Sequence, residues 1–427
     1  MFSRDTPWRV RTINIINMQK IYFDHSATTS VDERVLAKML PYFSQNFGNA
    51  SSVHSFGQET ASAVDNARRQ VAAAFGCEAS EVIFTGGATE ANNLALKGLV
   101  RAIKSRINFK PHVITTLIEH DAIIEPCREL VRDGLADVTY LPVQKNAVLD
   151  IAELEKNINS NTVLISVMFA NSEVGAVQPI KAIGKLIKKI NDSRADAWQK
   201  TPVGERGPKP ALIYFHSDAT QAVNFFDVNI NNLNLDLVSM SAHKIYGPKG
   251  VGALIVRDGV PMQAVQTGGH HEKNLRSGTL NVAGVVGLGE AITLSVSERE
   301  ANNKKIRETR DYLINKIKQN IPDIVCNTDI ENSTPSHAHF SFLGAEGESI
   351  LMALDMDAGI AVSTGSACAS NTLKASRVLM AMDIKVEDTH GAIRFTLGKA
   401  NTKADIDILM QHLPNIVKKF RDKAPAY

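Results

Sequence analysis

Val82-Ile83-Phe84-Thr85-Gly86-Gly87-Ala88-Thr89-Glu90, with Ala91–Arg101 behind it, is the stretch that decides the fold. Val82–Phe84 reads as a short strand, the glycines as a turn, and Ala91–Arg101 as a helix. Strand-like runs recur at His112–Ile118, Val163–Phe169, Ala211–His216, Leu235–Met240 and Gly252–Val256, with helical stretches between them. That alternation predicts an α/β fold around a mostly parallel sheet flanked by helices. In such sheets ligands gather at the carboxyl ends of the strands. The polar clusters Gly86–Glu90, Glu119-His120, Asn171–Glu173, Asp218–Gln221 and Ser241–Lys244 all follow strands. Their common placement predicts one composite site.

Composition narrows the function classes. The chain has 427 residues, with 47 Lys plus Arg against 45 Asp plus Glu, a net charge of +2. That balance gives no global attraction to nucleic acid or to an anionic membrane. Hydrophobic residues make up 44%, enough for a large core. No stretch approaches the roughly 18 consecutive apolar residues of a membrane span. Cys77, Cys127, Cys326 and Cys368 are scattered without a CxxC pair, which argues against structural zinc or a disulfide scaffold. Their usage suits a reducing, cytoplasmic compartment. Residues 1–19, with Arg4, Arg9 and Arg11, read as an arm or a mis-set start before Met18, or else as a transit peptide.

Domain organisation follows from changes along the chain. Residues 33–290 are expected to form a large domain, with a polar, Gly- and Pro-containing surface insertion over 191–210, read as a loop. A long charged helix over about 291–319 leads into a smaller α+β domain, expected to comprise residues 20–32 and 291–427.

Each motif carries a chemistry and a plainer alternative. Gly86–Glu90 lets backbone N–H groups approach an anion at a helix start, with the Thr89 hydroxyl as a further donor; alone it is equally an ordinary turn. Lys244, flanked by Ser241 and His243 and followed by Gly247-Pro248-Lys249-Gly250, is a candidate Schiff-base lysine, or a solvated loop lysine. Asp218 is placed to hold a protonated heteroaromatic nitrogen, or to cap the next helix. His120 would stack on a flat ring or relay a proton, if it is not structural. Arg394, in a strand-like run, would clamp a carboxylate or sit in an internal ion pair. Cys368 lies among small and polar residues in Ser363–Ser370, which favours a reactive thiol over a packed one.

Taken in order, Tyr22–Thr29, Gly48–His54, Phe84–Asn93, Glu119-His120, Asp218–Gln221, Ser241–Gly250, Arg276–Leu280, Gly365–Cys368 and Arg394–Gly398 closely resemble the cysteine desulfurases of the NifS/IscS type. These are fold-type I pyridoxal phosphate enzymes of the class-V aminotransferase family, and the resemblance runs from about Ile21 to Thr402. It implies that Lys244 joins the cofactor covalently, Asp218 pairs with the pyridinium nitrogen and Gln221 bonds the ring oxygen. His120 would stack on the ring and move protons, while Ala88, Thr89, Ser241 and His243 hold the phosphate. Thr279 would reach the phosphate of a partner subunit, implying a homodimer. Arg394, with Asn171, would bind the substrate, and Cys368 would take its sulfur as a persulfide, leaving alanine.

The persulfide would pass to an acceptor protein for iron–sulfur cluster assembly or for tRNA or cofactor thiolation. One departure touches the cofactor: Ser172 stands where the family usually has a second Asn. Alternative readings are a selenocysteine lyase or other β-eliminating lyase, and a partner protein that has lost catalysis.

Overall fold

The computed structural model describes residues 20–206, 210–364 and 375–422. The arm expected over residues 1–19 and the segment with Cys368 lie outside them. The strands are β1 (Ile21–Tyr22), β2 (Val82–Thr85), β3 (His112–Thr116), β4 (Asp137–Leu141), β5 (Thr162–Ser166) and β6 (Tyr214–Asp218), followed by β7 (Leu237–Ser241), β8 (Gly252–Val256), β9 (Ile324–Cys326), β10 (His337–Phe342), β11 (Ile360–Ala361) and β12 (Ala392–Thr396).

The main sheet has the order β2-β8-β7-β6-β5-β3-β4. Only β8 runs antiparallel to its neighbours β2 and β7; the other pairs in this sheet are parallel. β2, β3, β5, β7 and β8 are buried along their whole length, as strands covered on both faces must be. One apolar cluster on the sheet holds Val71, Phe75, Phe84, Ile183, Phe215 and Ile292. Another joins Ile83, Leu99, Val113, Leu164 and Leu254. The fold class read from the sequence is therefore the observed one.

Boundaries moved where packing overrode the local pattern. The helix after the glycine turn begins at Ala88 rather than Ala91, so Ala88 and Thr89 occupy its first turn. It continues through a π-helical segment Leu94–Gly98 into Leu99–Lys104. The third apolar run does not start at Ala211; β6 spans Tyr214–Asp218 and carries Asp218 as its last residue. β4 was not expected: it is a partly exposed edge strand with the polar residues Asp137 and Thr139, and edge strands lack a continuous apolar signal.

The stretch 191–210 is corrected in part. The helix Ile180–Lys200 takes up its first half, because no Gly or Pro occurs between Asn191 and Thr201. Arg194 donates to the carbonyls of Asn159 (2.5 Å) and Ala211 (3.0 Å), tying that helix back to the sheet. The single charged connector is likewise two helices, Val282–Ser297 and Arg299–Asn320, meeting at Glu298. Glu298 pairs with Arg34 at 2.6 Å.

A second sheet, β12-β10-β9, is antiparallel, and β1 pairs with β11. Phe340, Phe342 and Phe395 from this sheet pack with Leu313, Leu354 and Leu409 of its helices, and Phe23 joins the same cluster. No helix among the described residues is long and apolar enough to cross a membrane.

Candidate active site

The glycine turn is shaped by close approach. Gly87 has φ +151°, which side-chain-bearing residues rarely adopt, and a Cβ on Gly252 would come within 2.8 Å of its Cα. β8 thus presses against the turn. Glu90 fixes it from the other side, accepting from Gly86 N (2.6 Å) and from Arg276 Nε (2.8 Å). The missing Cβ of Gly87 points toward Ser241 Oγ, 3.7 Å from where it would stand. Ser241 ends β7, so its hydroxyl and the first-turn N–H groups of Ala88 and Thr89 face a common space suited to an anion.

Beside this space β6 delivers Asp218, which is buried. Its Oδ2 accepts from Asn92 Nδ2 at 2.7 Å and its Oδ1 from Thr220 N at 3.0 Å. Behind it His216 lies between Ser166 Oγ (2.8 Å) and Ser239 Oγ (3.0 Å). Burial lowers the His216 ring to about 4, against the pull of Asp218, so it is neutral at working pH.

Lys244 closes the turn after β7, and its Nζ donates to the carbonyls of Ser26 and Ala27, the latter at 2.6 Å. Gln221 Nε2 reaches the same Ser26 carbonyl at 3.0 Å. Asn224 Nδ2 holds the Lys244 carbonyl at 2.6 Å. His243 Nδ1 meets Thr28 Oγ1 at 3.1 Å; burial, aided by Lys244 and Lys249, lowers this ring to about 4. The segment Asp24–Thr29 therefore folds over the lysine.

His120 caps the helix Asp121–Arg132: Nδ1 accepts from Ala122 N at 3.0 Å, so the proton of the neutral ring sits on Nε2. The residue is exposed at the strand end. Arg394 is buried, with Nη2 on Asp24 Oδ1 (2.6 Å), Nη1 on the Ser172 carbonyl (2.9 Å), and a buried Nε with no partner among the described residues.

With this geometry the relatives become informative. The family model described as aminotransferase class-V matches residues 21–409. The chain belongs to the class-V aminotransferase family. "Cysteine desulfurase IscS" of Dictyoglomus turgidum is 41% identical over 407 residues, covering 95% of this chain and 97% of the relative. The protein of the same name from Clostridium botulinum is 43% identical over 411 residues, covering 96% and 97%. Among solved structures, a NifS-like protein superposes with a TM-score of 0.83 at 33% identity, covering 94% of this chain and all of that one.

As a class-V aminotransferase of this kind the enzyme is pyridoxal phosphate-dependent, and the donor set fits the cofactor. An anion-binding turn, a carboxylate with fixed orientation and a lysine amine converge at one end of the sheet, and Thr220 Oγ1 is buried with no partner among the described residues beside them. Asn171, expected at the substrate, and Ser172, expected at the cofactor, both lie in the turn that follows β5. Asn171 Nδ2 donates to the Ile118 carbonyl (3.1 Å) while Oδ1 accepts from Glu173 N (2.8 Å) and Val174 N (3.0 Å). In this arrangement its amide closes the turn. Ser172 acts through its carbonyl, which holds Ser26 Oγ (2.7 Å) as well as Arg394. Thr279 is exposed on its loop.

Asn92 and Asp24 were missed as site residues. Asn92 sits one helical turn beyond Thr89, and the late helix start expected at Ala91 hid that it faces the site. Asp24 pairs across 370 positions, which no local pattern records.

Proposed function

We propose that this class-V aminotransferase is a cysteine desulfurase that converts L-cysteine to L-alanine and passes the sulfur to the thiol of Cys368. The carbon–sulfur bond breaks as a sulfur–sulfur bond forms, so cysteine and a thiol give alanine and a persulfide without an external oxidant. Pyridoxal phosphate supplies the electron sink that makes removal of the Cα proton feasible. The observation that carries the reading is the meeting of Lys244, Asp218 and the Gly87 turn at the ends of β7, β6 and β2.

The residues divide the work. Ala88, Thr89 and Ser241 hold the phosphate, with His243 as a neutral partner. Asp218, held by Asn92, keeps the ring nitrogen protonated. Lys244 would anchor the cofactor, and Gln221, beside it on the Ser26 carbonyl, would hold the ring oxygen. His120 covers the ring and exchanges protons at Nε2. Arg394 takes the substrate carboxylate, using donors not engaged by Asp24 and Ser172. Cys368 is assigned on the sequence resemblance.

We further propose a homodimer, formed over the exposed apolar surface of Phe43, Phe47, Val53 and Phe56, with Thr279 completing the partner's phosphate site. The Phe47 and Phe56 rings lie 5.8 Å apart on that surface. The sulfur acceptor is a protein of iron–sulfur assembly or of a thiolation relay. A reducing cytoplasmic setting accords with the free thiols of Cys77, Cys127 and Cys326.

The test is a paired assay of wild type and Cys368→Ala. Both should be yellow; only wild type should release alanine and sulfide from cysteine under a thiol reductant. Full cysteine turnover by Cys368→Ala would reject the mechanism.

A further inference from the structure

The carbonyl of Ser172 is a meeting point whose third partner no catalytic reading requires. Besides Ser26 Oγ and Arg394 Nη1 it faces Nε2 of His337 at 3.3 Å. A carbonyl only accepts, so Nε2 carries the proton. Nδ1 is then the acceptor, and two hydroxyls serve it, Thr334 Oγ1 at 2.6 Å and Ser336 Oγ at 3.0 Å. Burial, reinforced by the charge of Arg394, holds this ring at about 3 and therefore neutral.

The contact is built from both sides. A Cβ on Gly175, at φ +80°, would come within 2.6 Å of His337 Cβ, and Thr334 N donates to the Gly175 carbonyl at 2.9 Å. The turn Asn171–Gly175 is thus seated on the start of β10 at both ends. In the register of the antiparallel pair, His337 opposes Thr396 and His339 opposes Arg394. His337 and Arg394 consequently share one face of that sheet.

We infer that His337 is a positioning residue for recognition of the substrate's carboxylate: it fixes the Ser172 carbonyl, and that carbonyl fixes the guanidinium of Arg394. The inference rests on Arg394 as the carboxylate site.

The test compares two ligands that differ only in a carboxylate. The holoenzyme is titrated with L-alanine and with ethylamine, following the visible absorbance of the bound cofactor. His337→Leu removes the donor at similar volume and should weaken L-alanine about tenfold, the scale of one hydrogen bond to a site that orders a charge, with ethylamine unchanged. His337→Gln, whose amide reaches the position of Nε2, should recover most of the loss. Equal weakening of both ligands, or of neither, would overturn the inference. Arg394→Lys is measured alongside. If it leaves L-alanine binding unchanged, the carboxylate reading falls and takes this inference with it. If Arg394→Lys weakens L-alanine and His337→Leu does not, only the role of His337 falls. Should His337→Leu fail to load cofactor, Thr334→Val releases the ring from its nearest hydroxyl and must show the same selective loss of L-alanine.

Discussion

Glu119 offers a sharp test of the electrostatics beneath the site. It precedes His120 and is almost fully buried. Oε1 accepts from Thr116 Oγ1 (2.8 Å) and Met168 N (2.9 Å), while Oε2 has no partner among the described residues. Burial raises the carboxyl from 4.5 to about 8; the Met168 and Thr116 donors oppose that rise, Asp218 adds to it, and Arg377 opposes it. Below about pH 4.5 the group is protonated in both states and costs nothing. Between about 4.5 and 8 the folded state keeps the proton and the unfolded state has lost it, so stability falls as pH rises; above about 8 the loss is complete.

At about 1.4 kcal/mol per pH unit for one proton, the loss between pH 5 and 8 approaches about 4 kcal/mol. That is a large part of a typical folding free energy of roughly 5–15 kcal/mol. Glu119→Gln keeps the acceptor for Thr116 and Met168 and removes the titration. Urea unfolding of wild-type and variant holoenzymes at pH 5, 6, 7 and 8 isolates the term, because every other titrating group is common to both. The variant should gain on wild type steadily over that range. A difference that stays flat with pH would refute the claim that Glu119 is neutral in the fold. A neutral Glu119 also keeps a second negative charge away from Asp218, where it would compete for the ring nitrogen.

Further outcomes follow from the same contacts. Asn92→Leu removes one donor from Asp218 and should lower cofactor retention about tenfold, read from absorbance remaining after dialysis. Gly252→Ala places a methyl within 2.8 Å of Gly87 Cα and 2.4 Å of the Met240 carbonyl; it should shift the phosphate turn and release cofactor, whereas Gly250→Ala, with open space around it, should lose only stability from its φ of +76°. His243 is already neutral above about pH 4, so the pH profile of cofactor retention between 6 and 9 should be the same in His243→Gln as in wild type.

Much of this was legible in the sequence because it is local. The strand–glycine–helix pattern at Val82–Arg101 and the polar residues at strand ends announced an α/β fold and the place of its site. Asp218, Lys244 and His120 each fall at the end of a strand or just beyond it, where the chain must leave the sheet. What was not legible is held by partners far along the chain. The tie between Asp24 and Arg394 spans 370 positions, and that between Asn92 and Asp218 spans 126. The ties of Asn171 are equally hidden: its Nδ2 reaches the Ile118 carbonyl 53 positions away, while its Oδ1 accepts from Glu173 N and Val174 N of its own turn.

The buried titratable groups explain why the site holds charge only where it is used. Burial keeps His216, His243 and His337 uncharged, and raises the carboxyls of Glu119 and Glu173 toward their neutral forms. His216, His243, His337 and Glu119 sit within three residues of a strand end, where a stray charge would be felt by cofactor or substrate through a poorly screened interior. Neutral side chains still donate and accept, so they orient their neighbours without adding to the field. Ser172 shows the consequence. The field at the proposed carboxylate site comes from Arg394 beside Asp24, and its direction is set by neutral donors around one backbone carbonyl.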